Sequence, residues 1–192
     1  MELTKNLTQP KILKSLLAIV LGSIALTISA KIKIPFYPVP MTMQTFVVLF
    51  LGISLGYKIG LATVGLYLFE GILGFPVFSN SPEKGVGMIY FTGPTMGYLV
   101  GFLSAVFLTG YLKFDDWTKK TDKNLETFFI NFIKLLVSVG TIYIFGILWL
   151  SNFVGWDKVL LFGVKPFWMA ELFKILILAF LIPSILKLRK FI

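Results

Sequence analysis

Glu171 and Lys174 are the two residues whose types and spacing most directly suggest chemistry. They lie three positions apart in VKPFWMAELFKILILAFLIPSIL, so a helix sets both on one face. That stretch is otherwise apolar and long enough to cross a membrane. A carboxylate and an ammonium inside such a span are costly unless they face an interior and interact. Two roles fit the pair. One is an ion pair that holds helices together. The other is a polar patch for a small ligand, with Glu171 accepting from ligand N–H groups and Lys174 meeting a ligand carboxylate. A second carboxylate, Glu70, stands in YLFEGILGFPVF just ahead of Gly71, Gly74 and Pro76. It is placed either to line the same cavity or to reach water at the membrane interface. Lys134 is about two turns into another apolar run, and its stem is long enough to reach the interface.

The rest of the composition narrows the chemistry. The 192 residues include no cysteine and no histidine, so disulfides, thiolate chemistry, imidazole proton transfer and the usual zinc, copper and haem ligand sets are excluded. No Walker A sequence, no GxSxG elbow and no carboxylate cluster within a span is present, and Asp115 and Asp116 lie in a charged loop. Neither a metal nor a cofactor is expected, and neither is ATP hydrolysis. The net charge of +9 does not signal nucleic acid, because the basic residues flank apolar spans instead of forming a stripe.

These side chains must be positioned by membrane helices. Of the residues, 57% are hydrophobic and 14% charged, against about 25% charged in an ordinary soluble domain. Backbone in hydrocarbon must satisfy its own hydrogen bonds, so the spans are expected to be helices. The predicted fold is an all-α integral membrane protein, one domain over residues 1–192. Its six helices run roughly over 12–30, 43–55, 57–73, 94–112, 128–150 and 166–186. The second and third are parted only by Gly56. The first apolar run is too long for a signal-peptide core, so it is expected to be retained. If both termini are cytoplasmic, the inner segments hold eleven Lys and Arg and the outer ones five, which is the orientation the positive-inside rule favours.

The connections are unequal. The segment 115–126 is charged and reads as a solvated cytoplasmic loop. Two outer segments, KIKIPFYPVPMTMQ and FPVFSNSPEKGVGMIYFTGP, are rich in proline, glycine and aromatics, and are expected to fold back as caps over the outer mouth. In the second, Phe78, Tyr90, Phe91 and the nearby Tyr98 are placed to wall a pocket for an apolar ligand body. On the first helix, Ala18, Gly22 and Ala25 lie among large apolar residues and allow another helix to approach closely. The approaching helix belongs either to this bundle or to a separate membrane subunit.

Three motifs then resemble one family. IPFYPVPMTMQTF, residues 34–46, is similar to a PVPxTxQT signature. YLFEGILGFPVF with GPTMGYLVGF is the second. VKPFWMAELFK is similar to PF-x-x-x-D-x-x-K. Together they resemble BioY, the biotin-specific substrate-binding (S) subunits of energy-coupling-factor (ECF) transporters, over nearly the whole chain. The resemblance implies a six-helix S-component in the cell membrane with an outward-facing biotin site. It implies docking of the helix 1 small-residue face (Ala18, Gly22, Ala25) on a transmembrane coupling subunit, with two cytoplasmic ATPases supplying energy. With the residue reading above, the expected substrate-binding residues are Gln44, Glu70, Phe78, Asn80, Gly97, Tyr98, Glu171 and Lys174, the last two carried over from the third motif. Glu171 replaces the motif's Asp, Met96 replaces a glycine of GPTGGY, and Leu99 stands where some members bear Arg. Asn80 is the candidate for the ureido group of biotin. The competing readings are an S component for another vitamin, a membrane-embedded enzyme using Glu70 and Glu171 as acid and base, and a purely structural subunit.

Overall fold

The computed structural model describes residues 3–34, 41–83, 85–119 and 123–190. Helix α1 spans Leu3–Lys31. Two short antiparallel strands follow, β1 (Lys33–Ile34) and β2 (Met41–Thr42), which pair Lys33 with Thr42 and Ile34 with Met41. The remaining elements are α2 (Gln44–Ile72), α3 (Met88–Phe91), α4 (Met96–Tyr111), α5 (Asn124–Val154), α6 (Trp156–Gly163) and α7 (Trp168–Leu188). Within α1, residues Lys11–Lys31 are long and apolar enough to cross a membrane, as are α2, α5 and α7, while α4 is a shorter apolar helix.

The predicted count of six helices is corrected to seven helical segments among the described residues. The short α3 and α6 fall in connections with no predicted helix. The predicted second and third helices are both found within α2, parted at Gly56, whose φ of 75° and ψ of 170° lie outside the helical region. Glycine takes that conformation without steric cost. Gly155, with φ 77°, parts α5 from α6 in the same way. The prolines at 35, 38 and 40, expected in the tip of the first cap, lie outside the described residues, as does Lys84.

Depth of burial sorts the helices. The most apolar windows of α2 and α7 are 56% and 50% buried, those of α1 and α5 only 22% and 28%. The first two are therefore central and the second two peripheral. Leu16, Val20, Leu21 and Ile24 of α1 and Phe129, Ile133 and Val137 of α5 are exposed, as residues facing lipid should be. Lipid tails are as apolar as leucine, so burial alone does not drive the helices together, and close packing must. Small residues provide it. A Cβ on Gly101 of α4 would lie 2.7 Å from the Cα of Ile142 in α5, so these two backbones are in contact. Gly110, at the other end of α4, meets the backbone of Tyr57 beside the α2 bend.

Where a helix is interrupted, a side chain from elsewhere answers the freed backbone. Arg189, just past α7, donates to the carbonyl of Ile53 at the α2 bend, at 3.5 Å. Pro183 inside α7 has no N–H for the carbonyl of Ala179 one turn earlier. The indole N–H of Trp117 donates to that carbonyl instead, at 3.2 Å. Trp117 also packs edge-on against Phe128 and Phe180. Asn131, fully buried in α5, donates to the carbonyl of Asp115 at 2.8 Å. The start of the 115–126 segment is thus anchored in the bundle, not a freely solvated loop. Lys134 reaches the carbonyl of Lys113.

Gly101→Ala should lower the Tm of the detergent-purified protein by several degrees, because overpacking against backbone costs about 1–3 kcal/mol. Gly140→Ala is the matched control. Beyond the local backbone of its own helix, no atom lies within 4 Å of the added methyl, so thermal unfolding should occur at the same temperature or slightly higher.

Candidate ligand-binding site

Glu171 lies in the first turn of α7, where the helix dipole favours a carboxylate. Lys174 follows one turn later, and the two are 5% and 3% exposed. The Lys174 ammonium donates to Glu171 Oε1 at 2.6 Å, to the Thr45 hydroxyl at 2.6 Å and to the carbonyl of Thr42 at 3.2 Å. Thr45 Oγ1 is 3.0 Å from both Glu171 oxygens. Its single proton goes to one of them while its lone pair receives Lys174. All three ammonium N–H groups are therefore used. The cluster carries no net charge, and it joins α7 to β2 and to the first turn of α2. The interior and mutually bonded placement expected of this pair is found.

One residue before Thr45, the buried Gln44 donates from Nε2 to the Tyr67 hydroxyl at 2.6 Å. Tyr67 passes its own proton to the carbonyl of Val77 at 3.2 Å. Phe78 is 1% exposed and meets the rings of Tyr67, Tyr90 and Phe91 at centroid distances of 5.3, 4.7 and 5.4 Å. It sits directly over Gly71, where any side chain would overlap the ring. The second expected cap is thus folded. Asn80, at φ 58°, takes the left-handed turn before the cis Ser81–Pro82 bond, a conformation Asn tolerates better than most residues.

A third group comes from α4 and α5. Tyr98 donates to the carbonyl of Gly163 at 3.0 Å and stands edge-on to Tyr143 at 6.0 Å. The space left by Gly97 is filled by the Phe145 carbonyl and Trp149, which makes it a helix-contact position. The Trp149 indole donates to the carbonyl of Gly93 at 2.9 Å. Leu99 is buried in the core.

Glu70 is engaged elsewhere. Its carboxylate accepts the Ser23 hydroxyl of α1, whereas the partners of Glu171 are Thr45 and Lys174. Gly22 of α1 faces Thr63 of α2, where a Cβ would lie 2.5 Å from its methyl, so its small size serves packing within this chain. With Ala18 and Ala25, Gly22 also lines an open groove of about 400 Å³ between α1, the first half of α2 and Leu188. Sequence reasoning did not single out Thr42, Thr45, Tyr67 or Tyr143. The two threonines stand inside the MTMQTF motif, which was the available signal. Tyr67 opens the YLFEGILGFPVF motif, whereas nothing local marks Tyr143 among the other aromatics.

A buried charge stripped of its partner costs about 3–5 kcal/mol, while replacing both partners with apolar residues is often tolerated. Lys174→Met alone should therefore unfold at markedly lower temperature than the double variant Glu171→Leu with Lys174→Met. Equal losses in the two proteins would mean that the pair is not electrostatically coupled.

The comparisons with known proteins agree with one another. The BioY family model matches residues 3–191. A probable biotin transporter BioY of Pyrococcus horikoshii is 33% identical, over 79% of this chain and 83% of its own. The biotin transporter BioY of Thermotoga maritima is 33% identical, over 85% of this chain and 90% of its own. Among solved structures, the S-component for biotin from an ECF-type ABC transporter superposes with a TM-score of 0.73 at 24% identity, covering 93% of each chain, a likeness of fold. With its family model matched almost end to end and these relatives spanning most of its length, the chain belongs to the BioY family.

Proposed function

We propose that this protein captures biotin in the cell membrane and is the substrate-binding S subunit of an ECF-type transporter. The observation that carries the reading is the buried, net-neutral Glu171–Lys174–Thr45 cluster flanked by aromatic groups. Biotin has a ureido ring with two N–H donors and one carbonyl acceptor, a thioether ring and a carboxylate tail. Glu171 is an acceptor for ureido N–H groups, and Lys174 and Thr45 are donors for the ureido carbonyl. Tyr67, Phe78, Tyr98 and Tyr143 supply apolar faces for the two rings. Asn80, on the folded cap, is a further candidate for the ureido group.

This pose differs from the sequence expectation that Lys174 meets the ligand carboxylate. A carboxylate placed there would bring a second anion beside the buried Glu171, with one ammonium between them. A neutral dipolar ureido group leaves the cluster's charge balanced. The acid tail then points away from α7. Nothing in this role requires bond-making in the ligand or a cofactor, and the protein acts as a binding subunit, not an enzyme.

The topology that fits is six membrane-crossing segments, with α2 contributing one on each side of Gly56, both termini cytoplasmic, and membrane lipids around α1 and α5. The partners are a transmembrane coupling subunit and two cytoplasmic ATPases. All three small residues first considered for docking, Ala18, Gly22 and Ala25, line the open groove between α1 and α2.

Labelled biotin should bind the detergent-purified protein alone. Lys174→Met should weaken biotin and biotin amide by similar factors, because the ureido end is common to both. A loss confined to biotin would return Lys174 to the carboxylate, and no binding by folded wild type would remove biotin as the ligand. Separately, Ala18→Leu should prevent co-purification with the coupling subunit and leave biotin binding intact. Unchanged co-purification would take the groove out of the docking surface.

A further inference from the structure

Lys31 ends α1 with its ammonium placed away from the ionic cluster. Its Nζ donates to the carbonyl of Phe78 at 2.8 Å, the carbonyl of Ser81 at 2.6 Å and the Ser81 hydroxyl at 3.1 Å. The Ser81 hydroxyl in turn donates to the Phe78 carbonyl at 2.6 Å. All three ammonium N–H groups are thus spent on one turn, roughly fifty positions away in the sequence. The turn has other ties. Tyr67 reaches the carbonyl of Val77, and Tyr90 reaches that of Ser79 at 2.6 Å. Both come from neighbouring parts of α2 and of the connection itself, whereas Lys31 ties the turn to α1.

The turn is linked to the candidate site through α2. Gln44 and Thr45 are adjacent in α2, one bonded to Tyr67 beneath Val77 and Phe78, the other to Glu171. Movement of residues 77–82 away from α2 would withdraw Phe78 from the aromatic cluster and carry Asn80 with it. Hydrogen bonds from a charged donor are stronger than those between neutral groups, and Lys31 applies three of them to two residues of the turn. The 78–82 turn is otherwise built from backbone in non-repeating conformations, with Asn80 at φ 58°, so it has no helical ladder of its own to resist opening.

Resting on the biotin reading, we propose that Lys31 is a positioning residue that clamps the 78–82 turn against the bundle and so governs how long the ligand stays bound. It touches the turn and not the ligand. Ligand leaves when the turn opens, and the clamp sets how often that happens. Loss of the clamp should therefore raise the dissociation rate more than it lowers the association rate.

The test uses the full chain in detergent, with Lys31→Met, Lys31→Arg and Ser81→Ala beside wild type. Amide hydrogen exchange without ligand reads the clamp directly. The amides of Ser81 and Gly85, which donate to the carbonyls of Phe78 and Pro82 at 3.2 and 2.8 Å, should exchange at least about tenfold faster in Lys31→Met, the factor expected for losing roughly one net charged hydrogen bond. Those of α2 and α7 should be unchanged. Lys31→Arg, which keeps a cationic donor, should restore most of the protection. Labelled biotin should then dissociate about tenfold faster from Lys31→Met, with its association rate within a few-fold of wild type. Ser81→Ala, which removes one acceptor and leaves both carbonyls, should show a smaller change in the same direction and serves if Lys31→Met does not fold. Wild-type protection of the turn in Lys31→Met, or an unchanged dissociation rate, would overturn the proposal. Failure of wild type to bind biotin would strike the functional reading instead, with the exchange experiment still deciding whether Lys31 clamps the turn.

Discussion

A carboxylate and an ammonium placed where water is scarce must be satisfied by the protein, and much of one end of this bundle follows from that demand. Lys174 needs three acceptors and finds them in Glu171, Thr45 and the carbonyl of Thr42. Meeting that need pins β2 and the first turn of α2 to α7. The position of Thr45 then places Gln44 next to Tyr67, and Tyr67 receives the connection that carries Phe78. One electrostatic requirement in the interior thus orders two segments that are adjacent to it only in space. A structural ion pair and a ligand patch are not exclusive here, since a group that holds the site together is also the polar surface a ligand would meet.

Elsewhere the bundle obeys the rule that backbone inside a membrane cannot be left unpaired. The bend at Gly56 is answered by Arg189, and the gap left by Pro183 by the Trp117 indole. Both repairs draw a residue from outside the spans into the bundle, so each helix break also fixes a connection. Close approach of α4 to α5 and to the α2 bend depends on glycines at 101 and 110. These features share one logic: packing and hydrogen bonding replace the hydrophobic drive that lipid does not supply.

Much of this was legible in the residues. Apolar runs located the long helices to within a few positions, apart from α1, which begins further upstream. Glu171 and Lys174 stood out because charge inside a span is rare and expensive. The break at Gly56 was visible as a lone glycine between two apolar runs. The structure parts the two runs there, with Gly56 at a φ of 75° that a helix does not contain. The short α3 and α6 were not foreseen, because segments of 4 and 8 residues carry too little periodicity to read. The roles of Gly22 and Glu70 depended on which neighbour each faced. Small size and negative charge are properties of a residue, whereas the contact with Thr63 or Ser23 belongs to the fold. Tyr143 is likewise defined by its ring contact with Tyr98, from a different helix.

If the neutral cluster at the head of α7 receives the neutral end of biotin, a structure of the purified protein with biotin bound will show it. The ureido ring is expected within hydrogen-bonding distance of Glu171 and of Lys174 or Thr45, with the carboxylate tail directed away from α7. A biotin carboxylate seated on Lys174, or biotin bound away from this cluster, would contradict that assignment.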